Sequence, residues 1–240
     1  LGPTRAYLVD EEIPSRAWGS AKARQLLIYL LSNPGQRKEQ IGAQLWPELS
    51  PVKVRSTFHI TNYRLRHALQ CADAIVFEDD LYRVSRDLNI WYDLWEFERL
   101  LDEAESVLRT DAELAALRRR EAIELVRGSF GADLPDSEWQ IQKRAEVSRR
   151  FVEALVWLAE YHAGQGEPEA ALGYWRRVLD EDNLREDAHR GVMRCLAAMG
   201  DRRAARRQYQ VLTKLLRHDI GAAPDPETTR LFAEISAASR

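Results

Sequence analysis

From Ser50 to Leu69 the chain reads SPVKVRSTFHITNYRLRHAL, a stretch without an acidic residue. Lys53, Arg55, Ser56, His59, Tyr63, Arg64 and Arg66 fall on what would be one side of a helix. Cations neutralise phosphates, and short polar or forked side chains hydrogen-bond base edges, so the set has the chemistry needed to read a DNA major groove. A solvated basic helix face is the plainer reading, and the stretch alone does not separate the two.

Other chemistries find less support. The five histidines, His59, His67, His162, His189 and His218, show no metal-ligand spacing and read as surface or packing residues. Neither a GxxxxGK[ST] nor a GxGxxG loop is present to cradle a nucleotide. Asp180-Glu181-Asp182 reads as a solvated helix end. Cys71 and Cys195 are far apart and lack a CxxC pattern, so reduced structural thiols are expected. No catalytic residue, metal or cofactor is assigned, and the chain is not read as an enzyme. The seven tryptophans, Trp18, Trp46, Trp91, Trp95, Trp139, Trp157 and Trp175, read as core and interhelix packing, with one lining a ligand groove as the alternative.

The basic stretch needs elements to position it. Ser50 and Pro51 form an N-cap and first-turn pair, and Val54, Phe58, Leu65 and Leu69 lie at helical spacing as a buried stripe. Upstream, residues 1–18 read as short strands and turns, followed by a helix in AKARQLLIYLLS that Asn33-Pro34-Gly35 stops. A short helix over Lys38–Leu45 follows, ended by Pro47. Downstream, IVFEDDLYRV reads as a hairpin around Glu78-Asp79-Asp80. Strands, three helices and a hairpin in this order predict a winged helix-turn-helix, the third helix entering the major groove.

From Asp93 the pattern becomes almost continuously helical. Asp93/Glu96 and Ser137/Gln140 have capping-box spacing, a helix is expected over roughly 111–126, and a long one is expected to end near Gly164. GEPEAALGYWRRVL from Gly166 and GDRRAARRQYQVLT from Gly200 repeat at 34 residues, matching Ala170 with Ala204, Ala171 with Ala205 and Trp175 with Tyr209. That is the tetratricopeptide period, whose helix pairs bury their apolar faces by stacking and present grooves that bind proteins or peptides. The fold expected is mainly α: a winged helix-turn-helix domain over 1–90, then an all-α tetratricopeptide-like array over 91–240.

Charge is divided the same way. The whole carries −3, yet residues 1–90 are net cationic and 91–240 net acidic. Apolar runs fall short of the ~18 residues of a membrane span, and no signal segment opens the chain, so a soluble, cytoplasmic protein without membrane partners is expected. A start at Leu1 rather than Met suggests a processed product or a fragment.

Taken together, KARQLLIYLLSNPG, IGAQLWPE, STFHITNYRLRHAL, LYRV with IWYDLWEFERLL, and HDIGAAPDPETTRLF resemble the SARP-type bacterial activators, which join an OmpR/PhoB-like winged helix to a bacterial transcriptional activation domain. The resemblance implies a transcriptional activator that reads double-stranded promoter DNA with helix 51–69, in the family often as direct repeats bound by two protomers of a homodimer, and recruits RNA polymerase. It implies Thr57, His59, Ile60, Thr61, Tyr63 and Arg64 as base-reading residues and Lys53, Arg55, Arg66 and Arg83 as phosphate contacts; Thr57 and Thr61 face either the groove or the core. This chain departs from the family in two places: Asn62 replaces an apolar residue of the buried stripe, and the wing tip is acidic. The alternative is an interaction or signalling module that does not bind DNA and whose repeats take a protein or small-molecule effector.

Overall fold

A computed structural model describes residues 1–237 and divides into two compact units. The first comprises Leu1–Arg99 with Glu124–Ser148, and the second Leu100–Ile123 with residues from Arg149 onward.

In the first unit, β1 (Tyr7–Leu8) pairs antiparallel with β2 (Glu11–Glu12), and a 3₁₀ turn at Ser15–Trp18 buries Trp18. Helix α1 (Ala21–Ser32) starts at Ser20, whose hydroxyl accepts the Ala23 N–H, and buries nearly every residue from Ala23 to Leu31. Helix α2 (Lys38–Leu45) and helix α3 (Pro51–Ala68) follow as expected. Ser50 is the N-cap of α3 by position, but its side chain makes no capping bond. Gly42 brings α2 onto α3, since a Cβ there would lie 2.5 Å from Val54 Cγ1.

Strands β3 (Ile75–Glu78) and β4 (Leu81–Val84) form the hairpin, with Ile75 opposite Val84 and Glu78 opposite Leu81. Its turn is the pair Asp79-Asp80, both at positive φ, as a two-residue I′ turn requires. Tyr82 fixes the hairpin to the helices: its N–H and C=O bond Gln36, and its ring meets Phe58 of α3 at 4.5 Å between centroids.

Helix α4 (Asp93–Val107) and helix α6 (Glu138–Gly164) contribute residues to both units, and α5 (Ala112–Glu124) starts at Asp111, whose carboxylate accepts the Leu114 N–H. Both residue pairs expected to form capping boxes have partners elsewhere. Asp93 already lies in the helix and pairs with the Leu1 amino group, while Glu96 bonds Arg99. Ser137 Oγ and Gln140 Oε1 both accept from the buried Gln25 amide, and Gln140 Nε2 donates to the Gly131 carbonyl. Gln25 and Gln140 have no solvent exposure, so the Gln25 amino group takes its acceptors from inside the core, while Gln25 Oε1 stays without a partner.

In the second unit, α7 (Pro168–Glu181) with α8 (Glu186–Ala198) and α9 (Arg202–Asp219) with α10 (Pro226–Ala237) make two helix hairpins that carry the 34-residue repeat. Ala171 and Ala205 are fully buried, whereas Ala170 is exposed. Trp175 lies on Gly191, where a Cβ would sit 2.3 Å from the indole, and Tyr209 stacks on Phe232 at 4.1 Å. Arg119, buried, pairs with Glu105 and covers the Trp157 ring at 4.1 Å. The packing reading of the tryptophans fails at two positions: Trp91 is 69% and Trp95 43% exposed.

Candidate nucleic-acid interface

Helix α3 is amphipathic in the way its sequence requires. Phe58, Thr61, Asn62, Leu65 and Ala68 are buried, while Lys53, Arg55, Ser56, His59, Ile60, Tyr63 and Arg64 are exposed. The exposed set recurs every three or four residues, so it occupies one continuous stripe. From Lys53 to Arg64 the stripe runs for about 16 Å at the helical rise of 1.5 Å per residue. Among the described residues, Lys53, Arg55 and Arg64 enter no ion pair, so their charge is not neutralised internally.

Each exposed residue offers something different. Tyr63, 69% exposed, presents a phenol, and Ile60, 54% exposed, an apolar surface of the type that meets thymine methyl groups. The Ser56 hydroxyl donates back to the Lys53 carbonyl. Arg64 runs its aliphatic stem against Gly19, where a Cβ would lie 3.3 Å from Arg64 Cδ, and this seats the guanidinium at the start of the 3₁₀–α1 junction. Nothing in the local sequence pattern points to Gly19, whose φ of 63° and place after the buried Trp18 appear only in the structure.

Three residues of the expected set are placed elsewhere. Thr61 is 3% exposed and faces the core, because it lies a helical turn from Phe58 and Leu65 on the buried side. Arg66 is half-buried and its Nη2 donates to the Ile75 carbonyl at 2.7 Å, tying α3 to the hairpin rather than to solvent. Arg83 is half-buried on β4, with Nη1 3.7 Å from Glu78 Oε2. Thr57 is half-buried at the border of the two faces.

The two departures are also located. Asn62 is 7% exposed and its Oδ1 is buried without a hydrogen-bond partner, yet α3 is unbroken around it; the amide oxygen is neither satisfied by a backbone donor nor freed by a loosened helix. Asp79 and Asp80 are exposed at the hairpin tip, with Glu78 beside Arg83. No group of three or more His, Cys, Asp or Glu among the described residues could hold a metal ion, and none of the described helices is long and apolar enough to cross a membrane.

The profile of the family described as "Bacterial transcriptional activator domain" matches residues 92–236. The chain belongs to the bacterial transcriptional activator domain family. This is a transcriptional-regulator type rather than an enzyme class, and it bears out the resemblance to SARP-type activators drawn from the sequence motifs. Mycobacterium tuberculosis EmbR, solved in complex with a low-affinity phosphopeptide, has a similar fold, with a TM-score of 0.77 at 21% identity over 99% of this chain. The chain spans 64% of that EmbR chain. The C-terminal TPR-containing domain of a Plasmodium falciparum FK506-binding protein covers 62% of this chain and 93% of its own, at 11% identity and a TM-score of 0.45. No curated protein matches the sequence. At the level of fold, this activator-domain protein is mainly helical with small two-stranded sheets near its N-terminus and a tetratricopeptide-like helical array.

Proposed function

We propose that the chain is a sequence-specific DNA-binding transcriptional regulator, an activator, with residues 1–90 as its DNA-binding domain and 91–240 as its activation domain. The observation that carries this reading is the acid-free, unpaired cationic stripe on α3, set beside a hairpin in the order of a winged helix-turn-helix. Arg64, His59, Tyr63 and Ile60 face the bases, Thr57 borders the groove, and Lys53 and Arg55 meet phosphates. The helical array contacts RNA polymerase or a second protomer bound to a direct repeat.

Selection of bound DNA from a random pool supplies the operator. On that operator, Arg55→Ala with Lys53→Ala lowers the slope of log K against log salt by about 2 and weakens all sequences alike. Arg64→Ala instead costs about 1–3 kcal/mol and relaxes the preference at one base pair. All three side chains are exposed, so the thermal melt stays where it was. Unchanged binding in the triple variant overturns α3 as the reader. Arg66→Ala is a poor probe, since it also releases the Ile75 carbonyl.

The exposed Asp79-Asp80 tip favours a second reading, in which the winged helix serves for packing or dimerisation and the array binds an effector. It predicts DNA affinity no better than the non-specific range of ~10⁻⁴ to 10⁻⁶ M.

A further inference from the structure

An open cleft of about 540 Å³ lies wholly within the first unit, on the hairpin, and takes no part in the α3 stripe. Its volume is within the range of small-molecule pockets, about 300–1,000 Å³. Leu30 and Leu31 from the end of α1, Leu81 from β4, Leu88 and Ile90 from the following segment, and Trp95 from α4 make its walls largely apolar. Trp95 Nε1 donates to the Leu31 carbonyl at 3.1 Å, which holds the indole in place while 43% of the residue stays exposed. An aromatic side chain fixed by its polar edge, with its apolar surface left uncovered, suits the wall of a ligand site.

The polar part of the lining is of one sign. Arg83 and Arg86 line the cleft, and among the described residues no acidic side chain does. Arg83 keeps a buried Nε–H without a hydrogen-bond partner, and its nearest carboxylate oxygen, on Glu78, stands 3.7 Å from Nη1, beyond hydrogen-bond reach. A buried donor left unmade is costly, and a guanidinium is suited to a carboxylate held by paired N–H donors. Apolar walls with two guanidinium groups among them suit a ligand with an apolar body and one anionic head.

We propose that this cleft binds a small amphipathic carboxylate, its chain against Leu31, Leu88, Ile90 and Trp95 and its head on Arg83 and Arg86. The proposal is independent of DNA binding, because none of these residues belongs to the exposed stripe of α3.

Isothermal titration calorimetry of the full chain with decanoate, and separately with decan-1-ol, tests it. Decanoate binds at one saturable site, and decanol, equal in length but neutral, binds at least about tenfold more weakly, as the loss of a charge-assisted hydrogen bond implies. Arg83→Gln removes the difference between the two, and Leu88→Trp, which fills the cleft, weakens both. If the melt of Arg83→Gln shows damage to the fold, Arg86→Gln carries the same comparison, because Arg86 is exposed. No saturable decanoate uptake up to about 1 mM, equal affinity for acid and alcohol, or a preference for the acid that survives both arginine substitutions overturns the proposal.

Discussion

Replacing Asn62 by leucine is expected to stabilise the first unit. Asn62 is 93% withdrawn from solvent on the face of α3 that carries the fully buried Phe58 and Leu65, and its Oδ1 has no partner. Leaving a buried acceptor unmade costs about 1–3 kcal/mol. Leucine has the branched shape and heavy-atom count of asparagine but bulkier ends, brings no polar atom, and is favoured over it within a helix by up to about 0.5 kcal/mol. The bulkier methyl groups return about 1 to 1.5 kcal/mol, the lower end of the cost of tighter packing at a site that is not fully enclosed. The balance is a gain of about 1–2 kcal/mol, or a rise of about 2 to 8 °C in Tm at the 2–4 °C per kcal/mol typical of chains this size. Asn62→Asp supplies the opposite sign: a carboxylate in the same place without a cation destabilises by about 3 kcal/mol or more at neutral pH. Circular-dichroism melts and urea titrations of the two variants read both shifts. A loss above about 1 kcal/mol for the leucine variant, or shifts of the same sign in both, refutes the reasoning and shows that the amide is satisfied in solution. Since the side chain does not reach the exposed stripe, DNA selection by Asn62→Leu should match that of the parent chain.

Gly191→Ala places a methyl 2.3 Å from the Trp175 indole, and overpacking of this kind should cost about 1–3 kcal/mol in urea denaturation. Trp175→Leu in the same chain should recover part of that loss; additive losses would refute the close approach. Gly42→Ala should act likewise between α2 and α3, where Val54 Cγ1 stands 2.5 Å from the added carbon, and should lower DNA affinity together with stability. His189 gives a pH signature. Its Nε2 lies 3.0 Å from the Asn183 carbonyl, which can only accept, so Nε2 carries the proton and Nδ1 accepts from the Gln208 amide at 2.7 Å. Burial holds its pKa below the ordinary 6.5, so the unfolded chain binds the proton first as pH falls. The stability it contributes is intact above about pH 6.5 and is lost as the pH drops below that value. The urea midpoint should therefore fall more between about pH 7.5 and pH 5.5 in the parent chain than in His189→Gln, and equal falls would exclude His189 as the source.

Local pattern was enough for the backbone plan. Ser20, Asn33-Pro34-Gly35, Pro47 and Pro51 punctuate α1 to α3 through hydrogen bonds and fixed torsions that act within a few residues, so the helix limits agree with the sequence reading. The 34-residue repeat marked α7 to α10 because stacked helix pairs place the same demand, a small residue at 171 and 205 and an aromatic at 175 and 209, on each unit. The exposed side of α3 was legible for the same reason: a helix fixes which residues share a face.

What neighbouring elements would ask of the polar side chains was not legible. Each residue turns a helix by about 100°, so Thr61, one position from the exposed Ile60, sits in the core. Arg66 and Arg83 looked like free cations until the hairpin came to lie beside α3, giving one a carbonyl and the other a half-buried place by a cleft. Ser137 and Gln140 have capping-box spacing, but Gln25, more than 110 positions away in sequence, takes both. Gly19, Gly42 and Gly191 matter through what approaches them, which a one-dimensional pattern does not contain. The sequence by itself determined the order of elements, the repeat and the cationic face, since these follow from spacing along the chain; only the tertiary structure decided which polar groups remain available, because that depends on partners brought together from distant positions.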